Sequence, residues 1–380
     1  MIPVFKPTLG SEELAAVQEV FASGWIGKGR QVLDFERRFA ESLASDPRNF
    51  TSTNSCTEGL FLAADMYGFG PGDEVVVPAV SFVAVGSAVV ASGARLVICD
   101  VDPRTLNATA ELIEPCLTGR TRAVWLNHFG GVPCDLDPIL NLCRNRGLLV
   151  LEDSACAPHS MYHGRAAGTF GDAGMWSFDA MKILCTGDGG MLYFSDPDRV
   201  VEARERLYLG LPDRQTSGVD SSASGADEWW RFEITRPGRR AIMNDIAGAI
   251  GCVQLRRLSQ FIARRVEIHD TYVREFRDLG WLQLPPVIPD HCVSSHYFFW
   301  VQTEVRNELA RFLYDNGVYS TYRYWPLNRI AYFGCGAASV PNADYATERT
   351  LNLPLHQGLT DADVGRVVDT VRAFGSSRGL

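Results

Sequence analysis

The chain has 380 residues, 46% of them hydrophobic and 21% charged, and its formal net charge is −9. Such a chain is long enough for two domains, or for one large α/β unit with an appendage, and its composition is that of an ordinary globular protein. A negative charge without a block of basic residues argues against nucleic acid or an anionic membrane surface as the main partner. The chain has no apolar run long enough to span a membrane and no signal-peptide core, so we expect a cytoplasmic protein.

The N-terminal region predicts two helices. The stretch "SEELAAVQEVFASG" has a Ser cap at its start and Gly24 at its end, and "QVLDFERRFAESLA" gives a second helix. None of the ten cysteines forms a CxxC pair, and most have apolar neighbours. We therefore expect buried, reduced thiols and neither a disulfide framework nor a metal site.

A strand–helix–strand pattern occurs twice in the next part of the chain. It is seen in "DEVVVPAVSFVAVGSAVVASGARLVICDVD" and again in "RAVWLNHFGGVPCDLDPILNLCRNRGLLVLEDSA". Repeated β-α-β units with nearly continuous apolar strands predict a mostly parallel sheet that is covered on both faces. In such sheets, ligands bind at the carboxyl ends of the strands.

The pattern breaks at about 211–240, which is polar and rich in Ser and Gly. A segment of this length between regular elements is either disordered or functional. A long helical run beginning "MNDIAGAIG" follows it. The remainder, from "HYFFWVQTEV" to the helix "TDADVGRVVDTVRAF", predicts a smaller α+β domain.

One lysine stands out, because "MWSFDAMKILCTGDGGMLYFSD" holds Lys182 among mostly small, apolar and hydroxyl residues. It is either a stray surface lysine or a reactive one. Asp153 ends the apolar strand "LLVLED", where an open α/β sheet places ligand groups, although strand-end aspartates also cap turns.

Three further signals are weak on their own. "NSCTEGL" precedes a helix, whose N–H groups together with Thr57 can hold a phosphate, although an ordinary helix cap has the same pattern. Ser177 can add a hydroxyl, and Phe82 can lie against an aromatic ring or simply belong to the core. Together with Lys182 and Asp153 they describe one ligand, pyridoxal phosphate. A lysine forms a Schiff base with it, an aspartate keeps its ring nitrogen protonated, and a helix N-terminus holds its phosphate.

The chain resembles the DegT/DnrJ/EryC1/StrS family of sugar aminotransferases, which have the aspartate aminotransferase fold. The resemblance covers almost the whole chain in order and is carried by "IPVFKPTLGSEELAAVQEVFASGWIGKGRQVLDFERRFA", "TNSCTEGLFLAA", "GDEVVVPAVSFVA", "GARLVICDVDPRTLNA", "NHFGGVPCDLDPI", "VLEDSACAP", "GRAAGTFGDAGMWSFDAMK", "TGDGGMLYFSD", "MNDIAGAIGCVQL" and "LNLPLHQGLTDADV". It is greatest to the nucleotide-sugar 4-aminotransferases.

The resemblance implies a type I fold of the pyridoxal-phosphate-dependent transferases. We expect a large cofactor-binding α/β domain at 1–250, with a mostly parallel mixed sheet flanked by helices, and a smaller α+β domain at 251–380. It also implies a homodimer with active sites at the interface, in which the loop at 211–240 helps to build the neighbour's site. The N-terminal helix packs on the small domain in this picture.

The resemblance further implies roles for single residues. Lys182 is the Schiff-base lysine, and Asp153 pairs with the pyridine nitrogen of the cofactor. The remaining cofactor contacts are the phosphate-binding positions Cys56, Thr57 and Ser177 and the ring-stacking position Phe82.

The chain departs from the family pattern at several positions. Cys156 replaces the usual His or Gln beside the cofactor's 3-oxygen, and a thiol is a weak hydrogen-bond partner. "GRRAIM" replaces "GYNYRM" and puts Arg240 in place of an Asn that reaches the partner's phosphate. Arg240 can bind that phosphate, face a substrate diphosphate, or be a solvated loop residue.

On the substrate side, "YWPLN" puts Asn328 at a His position, with Arg323 just before it. The residues that could bind a substrate diphosphate are Arg236, Arg239, Arg240 and Arg323. Each of them could equally be an ordinary surface arginine.

The expected reaction transfers an amino group from L-glutamate to a nucleotide-linked keto-sugar. The leading candidate is dTDP-4-keto-6-deoxyglucose, and the product is an amino-deoxy sugar for glycan or antibiotic glycosylation. Lys182 acts as general base and acid in both half-reactions. The same-class alternatives are a 3-keto sugar or a keto-cyclitol. The other classes are a sugar dehydratase, in which histidine replaces the lysine, and a non-catalytic cofactor-binding regulator. The intact Lys182 disfavours the dehydratase, and the Lys182/Asp153 pair disfavours the regulator.

Overall fold

A computed structural model of the chain describes residues 1–212, 233–234, 236–333 and 339–380. Most of the predicted interface loop at 211–240 therefore lies outside the described residues. The described helices are α1 (Ser11–Ala22), α2 (Arg30–Ser42), α3 (Cys56–Met66), α4 (Val83–Ala91), α5 (Ala110–Ile113), α6 (Leu136–Arg146), α7 (Pro197–Leu207), α8 (Asp245–Phe276), α9 (Arg306–Asp315), α10 (Pro341–Arg349) and α11 (Asp361–Arg378). The described strands are β1 (Phe50–Thr53), β2 (Glu74–Pro78), β3 (Arg95–Cys99), β4 (Thr121–Asn127), β5 (Leu149–Asp153), β6 (Met161–Tyr162), β7 (Arg165–Ala166), β8 (Ala173–Ser177), β9 (Gly190–Phe194), β10 (Cys292–Val293), β11 (Phe299–Gln302) and β12 (Thr350–Leu353).

The central sheet of the described chain has seven strands in the order β1-β9-β8-β5-β4-β2-β3. The pairs of β2 with β3 and β4, of β4 with β5 and of β5 with β8 are parallel. β9 pairs antiparallel with both β8 and β1, so β1 has the same direction as the other strands. The predicted mostly parallel α/β sheet is confirmed, and its carboxyl ends lie along one edge.

Helices cover the sheet because their apolar residues recur at helical spacing. Val32, Phe35 and Phe39 of α2 are completely buried, and they occupy one face of that helix. On the sheet itself, Trp125 and Trp176 are buried, which places bulky rings between the sheet and its helices. Burial on both faces explains why "EVVVP" and "LVLED" are nearly continuous apolar runs.

The first predicted helix is present, but its cap is different. Ser11 is the first helical residue, and Gly10 is the N-cap. The Glu13 carboxylate accepts the Gly10 N–H at 2.8 Å, as in a capping box. α1 lies along the first half of α8, where Glu13 binds Gln254 at 2.7 Å and Arg257 at 2.6 Å.

Two hydrophobic clusters meet along the continuous helix α8. Cys252, Leu258 and Phe261 pack with the central sheet, whereas Ile268, further along the same helix, packs with β11, β12, α9 and α11. The division predicted at residue 250 thus falls inside α8, and the change of cluster comes between Phe261 and Ile268. The N-terminus reaches the second cluster, because Ile2 pairs with Val318.

The nine described cysteines carry free thiols, and Cys335 lies outside the described residues. Seven of those nine are buried, as expected from their apolar neighbours. Within the described ranges, no helix combines the length and the apolar character that a membrane crossing requires.

Candidate active site

A cavity of about 320 Å³ lies at the carboxyl edge of the parallel strands. Asn127, Asp153 and Ser177 are the last residues of β4, β5 and β8, and all three line it. Parallel strands end at one edge, which is why residues from distant parts of the chain converge there. The other lining residues are Ser55, Cys56, Thr57, Leu60, Phe82, His128, Phe129, Ala155, Cys156, Asp179, Met181, Lys182, Asp188, Tyr297, Arg323 and Tyr324.

Lys182 projects its amine into this cavity from a turn after β8, in which its N–H donates to the Asp179 carbonyl at 2.9 Å. Its Nζ lies 3.8 Å from Cys156 Sγ and 4.8 Å from the centre of the Tyr297 ring. Burial opposes the charged form, but the neighbouring thiol, the phenols and Asp153 together hold the pKa of Lys182 above its ordinary value. The amine is therefore protonated at neutral pH.

Asp153 faces the same cavity and is 6% exposed. Its Oδ1 accepts the Ala155 N–H at 3.0 Å, which fixes the orientation of the carboxylate. Burial raises the pKa of Asp153, while the Ala155 N–H and the positive charge of Lys182 act in the opposite direction. A buried carboxylate of this kind is suited to a cationic partner inside the cavity.

Glu152 and His128 form a rigid support behind Asp153. The fully buried Glu152 carboxylate accepts backbone N–H groups from Gly168, Phe170 and Gly171 at 2.7–2.8 Å. His128 Nε2 lies 3.0 Å from the same carboxylate. These contacts fix β5 and its neighbouring loops, so they limit the movement of Asp153.

The first turn of α3 forms one end of the cavity. Cys56 and Thr57 are its first two residues, and their N–H groups lie where a helix offers no internal acceptor. Ser55 caps the helix, its Oγ accepting the Glu58 N–H at 3.1 Å. A Cβ on Gly190 would lie 2.7 Å from the Cys56 nitrogen, so this glycine allows β9 to approach the helix start. Such a helix N-terminus binds anions.

Phe82, the N-cap of α4, also lines the cavity. Its ring is 42% exposed although it lines the cavity, and its centre is 5.5 Å from that of Tyr324. An exposed aromatic face in a cavity is suited to stacking on a planar ligand. Cys156 lies nearby, with its Sγ 3.3 Å from the Tyr324 hydroxyl, and burial raises the pKa of its thiol, which is therefore neutral.

Two of the four arginines predicted for an anion are held by carboxylates instead. Arg236 pairs with Glu202 at 2.8 Å, and Arg239 pairs with Glu58 at 3.0 Å. Neither lines the cavity of its own chain. The carboxylates of Glu202 and Glu58 neutralise these two guanidinium groups, which are therefore engaged outside the site.

Arg240 and Asn328 also lie away from the cavity lining. The Arg240 guanidinium is over the Tyr208 ring at 5.4 Å, and the Asn328 amide is 3.4 Å from Asp344. Asn328 therefore does not reach the ring-contact position expected from its motif. The role of Arg240 towards a second subunit stays a prediction.

Arg323 is the predicted arginine that the structure does bring to the cavity. Its guanidinium lies over the Phe5 ring at 5.0 Å and 3.6 Å from the Met181 sulfur. Within the described chain, the guanidinium contacts these two groups and no carboxylate, so its positive charge is available to an anionic ligand.

Tyr297 and Tyr324 are cavity residues to which the sequence analysis gave no role. Both come from the C-terminal part of the chain, far from Lys182 in sequence. "HYFFW" and "YRYWPL" are apolar and aromatic, and nothing in them distinguishes a cavity tyrosine from a core one. Knowledge of the domain packing was needed to find them.

Comparison with known proteins agrees with this geometry. The profile of the DegT/DnrJ/EryC1/StrS aminotransferase family matches residues 7–372. A curated relative from Saccharopolyspora spinosa, dTDP-4-dehydro-2,3,6-trideoxy-D-glucose 4-aminotransferase, is 48% identical over 97% of this chain and 95% of its own length. The crystal structure of the aminotransferase TlmJ from Streptoalloteichus hindustanus is 50% identical, with a TM-score of 0.94 and full coverage of both chains.

A further solved structure gives the cofactor state of a more distant relative. The PLP-form of the putative sugar aminotransferase Spr1654 from Streptococcus pneumoniae is 26% identical, with a TM-score of 0.89 over 99% of each chain. The fold, the cavity and the match across residues 7–372 lead to one conclusion. The chain belongs to the DegT/DnrJ/EryC1/StrS aminotransferase family.

Proposed function

We propose that the protein is a pyridoxal-phosphate-dependent aminotransferase that moves the amino group of L-glutamate to a nucleotide-linked 4-keto-6-deoxy sugar. The observation that carries the proposal is the convergence of Lys182 and Asp153 in one cavity, beside an anion-binding helix start. The cavity volume of about 320 Å³ lies within the range of roughly 300–1,000 Å³ that is common for small-molecule sites.

The residues present fit pyridoxal phosphate. The start of α3, with the Thr57 hydroxyl, suits its phosphate, the buried Asp153 suits a protonated ring nitrogen, and the exposed Phe82 ring suits its planar ring. Asn127 Oδ1 supports the presence of a ligand here, because this buried acceptor in the cavity wall has no hydrogen-bond partner in the part of the chain described. When bound, the cofactor supplies a carbonyl carbon that takes up the amino group and a ring that delocalises electrons.

Lys182 is the group that moves protons in this proposal. Its Nζ would hold the cofactor covalently at rest. When free, the amine would take the proton from the substrate carbon as base and return it as acid. The raised pKa of Lys182 means that a proton would have to leave Nζ before this nitrogen could bind the cofactor.

The other residues orient and shield the reaction. Asp153, fixed by the Ala155 N–H, holds the proton on the ring nitrogen. Thr57 and Ser177 line the cavity, and their hydroxyl groups would donate hydrogen bonds to the phosphate and so hold the cofactor. The rings of Phe82 and Tyr324 line the cavity with their centres 5.5 Å apart, and these apolar faces would help to keep water from the reacting carbon.

The acceptor assignment is supported by the curated relative, whose name specifies a dTDP-linked 4-keto sugar. dTDP-4-keto-6-deoxyglucose remains the first acceptor to test, and its 2,3-dideoxy counterpart is the second. Arg323 supports an anionic substrate, because it brings a positive charge to the cavity. We further propose a homodimer that acts in the cytoplasm and in which Arg240 reaches the neighbouring site.

The proposal is tested by following the visible absorbance of the bound cofactor through two separate half-reactions. Excess L-glutamate is expected to remove this absorbance, and dTDP-4-keto-6-deoxyglucose, added after the donor has been washed out, is expected to restore it. Restoration by 3-keto sugars or keto-cyclitols alone would replace the acceptor. Absorbance that never responds to glutamate would contradict the donor.

Replacing Arg323 with glutamine is expected to raise the KM for the nucleotide sugar about tenfold, with kcat nearly unchanged, because a charge-assisted hydrogen bond to an anion is lost. Arg311→Gln, which removes an exposed arginine of α9, is the matched control and leaves both constants as they are. A rise in the KM for glutamate alone would assign Arg323 to the donor carboxylate and contradict its role towards the diphosphate.

A further inference from the structure

We propose that Tyr297 is a positioning residue for Lys182, the face of its ring holding the lysine amine in the cavity whenever that amine is not covalently bound to the cofactor. The inference rests on the proposed function, in which Lys182 is the catalytic group. Lys182 Nζ lies 4.8 Å from the ring centre, within the roughly 6 Å at which an aromatic face attracts a cation. Tyr297 is 2% exposed and lines the cavity.

The Tyr297 ring is held in place from several sides. It stacks on Phe5, with ring centres 5.6 Å apart and planes inclined by 19°. Its backbone N–H donates to the Gly130 carbonyl at 2.8 Å. Its hydroxyl donates to the Met181 carbonyl at 3.4 Å, so the phenol also contacts the backbone next to Lys182. A ring fixed in this way gives the released amine one defined resting place.

Arg265 fixes the backbone of Tyr297 from the far side. This arginine is 1% exposed, and its Nη1 donates to the carbonyls of His296, Tyr297 and Leu355 at 2.9–3.2 Å. Burial lowers its pKa to about 10, so it remains a cation at neutral pH. Its guanidinium carbon is 5.9 Å from the ring centre, further from it than Lys182 Nζ. Arg265 thus positions Tyr297, and Tyr297 positions Lys182.

The ring also affects the charge of the lysine. An aromatic face stabilises the ammonium more than the neutral amine, so Tyr297 favours the protonated form of Lys182. The other ionisable groups that face the amine or line the same cavity are Asp153, Cys56, Cys156, Tyr324, Arg323, Asp179, Asp188 and His128. Cys156 and Tyr324 are neutral at pH 7 because burial raises their pKa values. Replacement of the ring therefore removes one interaction of the ammonium, while Asp153, Cys156 and Tyr324 remain beside it.

The chain is suited to a direct measurement, because it contains only three lysines, Lys6, Lys28 and Lys182. Lysine-selective 13C labelling of the cofactor-free protein gives three Cε signals, and Lys182→Arg identifies the signal of Lys182. Its pKa is then read from a pH titration of the wild type, Tyr297→Phe and Tyr297→Leu. Phe298→Leu is the matched control, because Phe298 is equally buried and packs against Tyr297 without lining the cavity.

The Lys182 pKa is expected to stay unchanged in Tyr297→Phe, which keeps the ring, and to fall by about one pH unit in Tyr297→Leu. It stays unchanged in Phe298→Leu. In the loaded enzyme, the acidic limb of the pH profile for the glutamate half-reaction shifts down by the same amount in Tyr297→Leu. Tyr297→Met, with an unbranched apolar side chain, replaces Tyr297→Leu if the latter does not fold.

A wild-type pKa in Tyr297→Leu would overturn the inference, as would an equal fall in Tyr297→Phe, which would assign the effect to the hydroxyl. These outcomes concern Tyr297 alone, since they are measured without cofactor. Failure of the proposed function appears elsewhere, as turnover that persists without Lys182.

Discussion

Replacing Lys182 with alanine is expected to abolish amino transfer, with turnover reduced by at least about 10³-fold. The side chain supplies both the covalent attachment of the cofactor and the proton carrier, so its loss removes two functions. No other lysine can take its place, because Lys6 and Lys28 do not line the cavity. The measurement is single-turnover formation of amino sugar from the preloaded enzyme, together with the visible absorbance after cofactor is added.

Lys6→Ala is the control for this substitution, because it removes an exposed lysine of the same chain. It is expected to leave turnover and absorbance unchanged. The fold of the Lys182→Ala protein is expected to be intact, since Lys182 is partly exposed and lines a cavity. Substantial turnover in Lys182→Ala would contradict the assignment of the lysine.

Asp153→Asn is expected to lower kcat by at least about 10²-fold, because the amide keeps the shape of the carboxylate but loses the charge that holds a proton on the ring nitrogen. Asn can still accept the Ala155 N–H with its side-chain oxygen, so the local geometry is retained. The rates of the two half-reactions are measured separately, and both are expected to fall because both need the same electron sink.

The stability of the cofactor-free protein separates this effect from misfolding. Burial raises the pKa of Asp153 in the folded protein above its value in the unfolded chain. The contribution of this group to stability is therefore fully present at low pH and is lost as the pH rises through the folded pKa. The Tm of cofactor-free Asp153→Asn at neutral pH is therefore expected to equal or exceed that of the wild type. A lower Tm together with low kcat would indicate structural damage instead.

The sequence was informative where the chemistry of the site is local. Lys182 is the single lysine of a mostly apolar stretch, Asp153 ends a buried strand, and Thr57 lies at a helix start. Each of these patterns has a direct physical consequence in a parallel sheet. The sheet brings the three together because β1, β5 and β8 end at the same edge. The element pattern alone was enough to predict that edge.

Contacts between distant segments could not be predicted in this way. Tyr297 reaches Lys182 only because the segment before β11 packs against the Gly130 loop, and its sequence resembles that of any core strand. The arginines show the converse problem. Arg239 and Arg323 look alike in the sequence, but Glu58 neutralises the first, while the second faces the cavity. Such differences depend on where the charged neighbour of each arginine lies in the fold, and the periodicity of the sequence does not give that position.

In the proposed reaction, nitrogen passes from glutamate to a nucleotide-linked keto-sugar at Lys182. The most direct test incubates the cofactor-loaded enzyme with 15N-labelled L-glutamate and dTDP-4-keto-6-deoxyglucose and analyses the sugar by mass spectrometry. The wild type is expected to give an amino sugar that carries the 15N label, and Lys182→Ala is expected to give none. An unlabelled dehydrated sugar, or labelled product from both proteins, would contradict it.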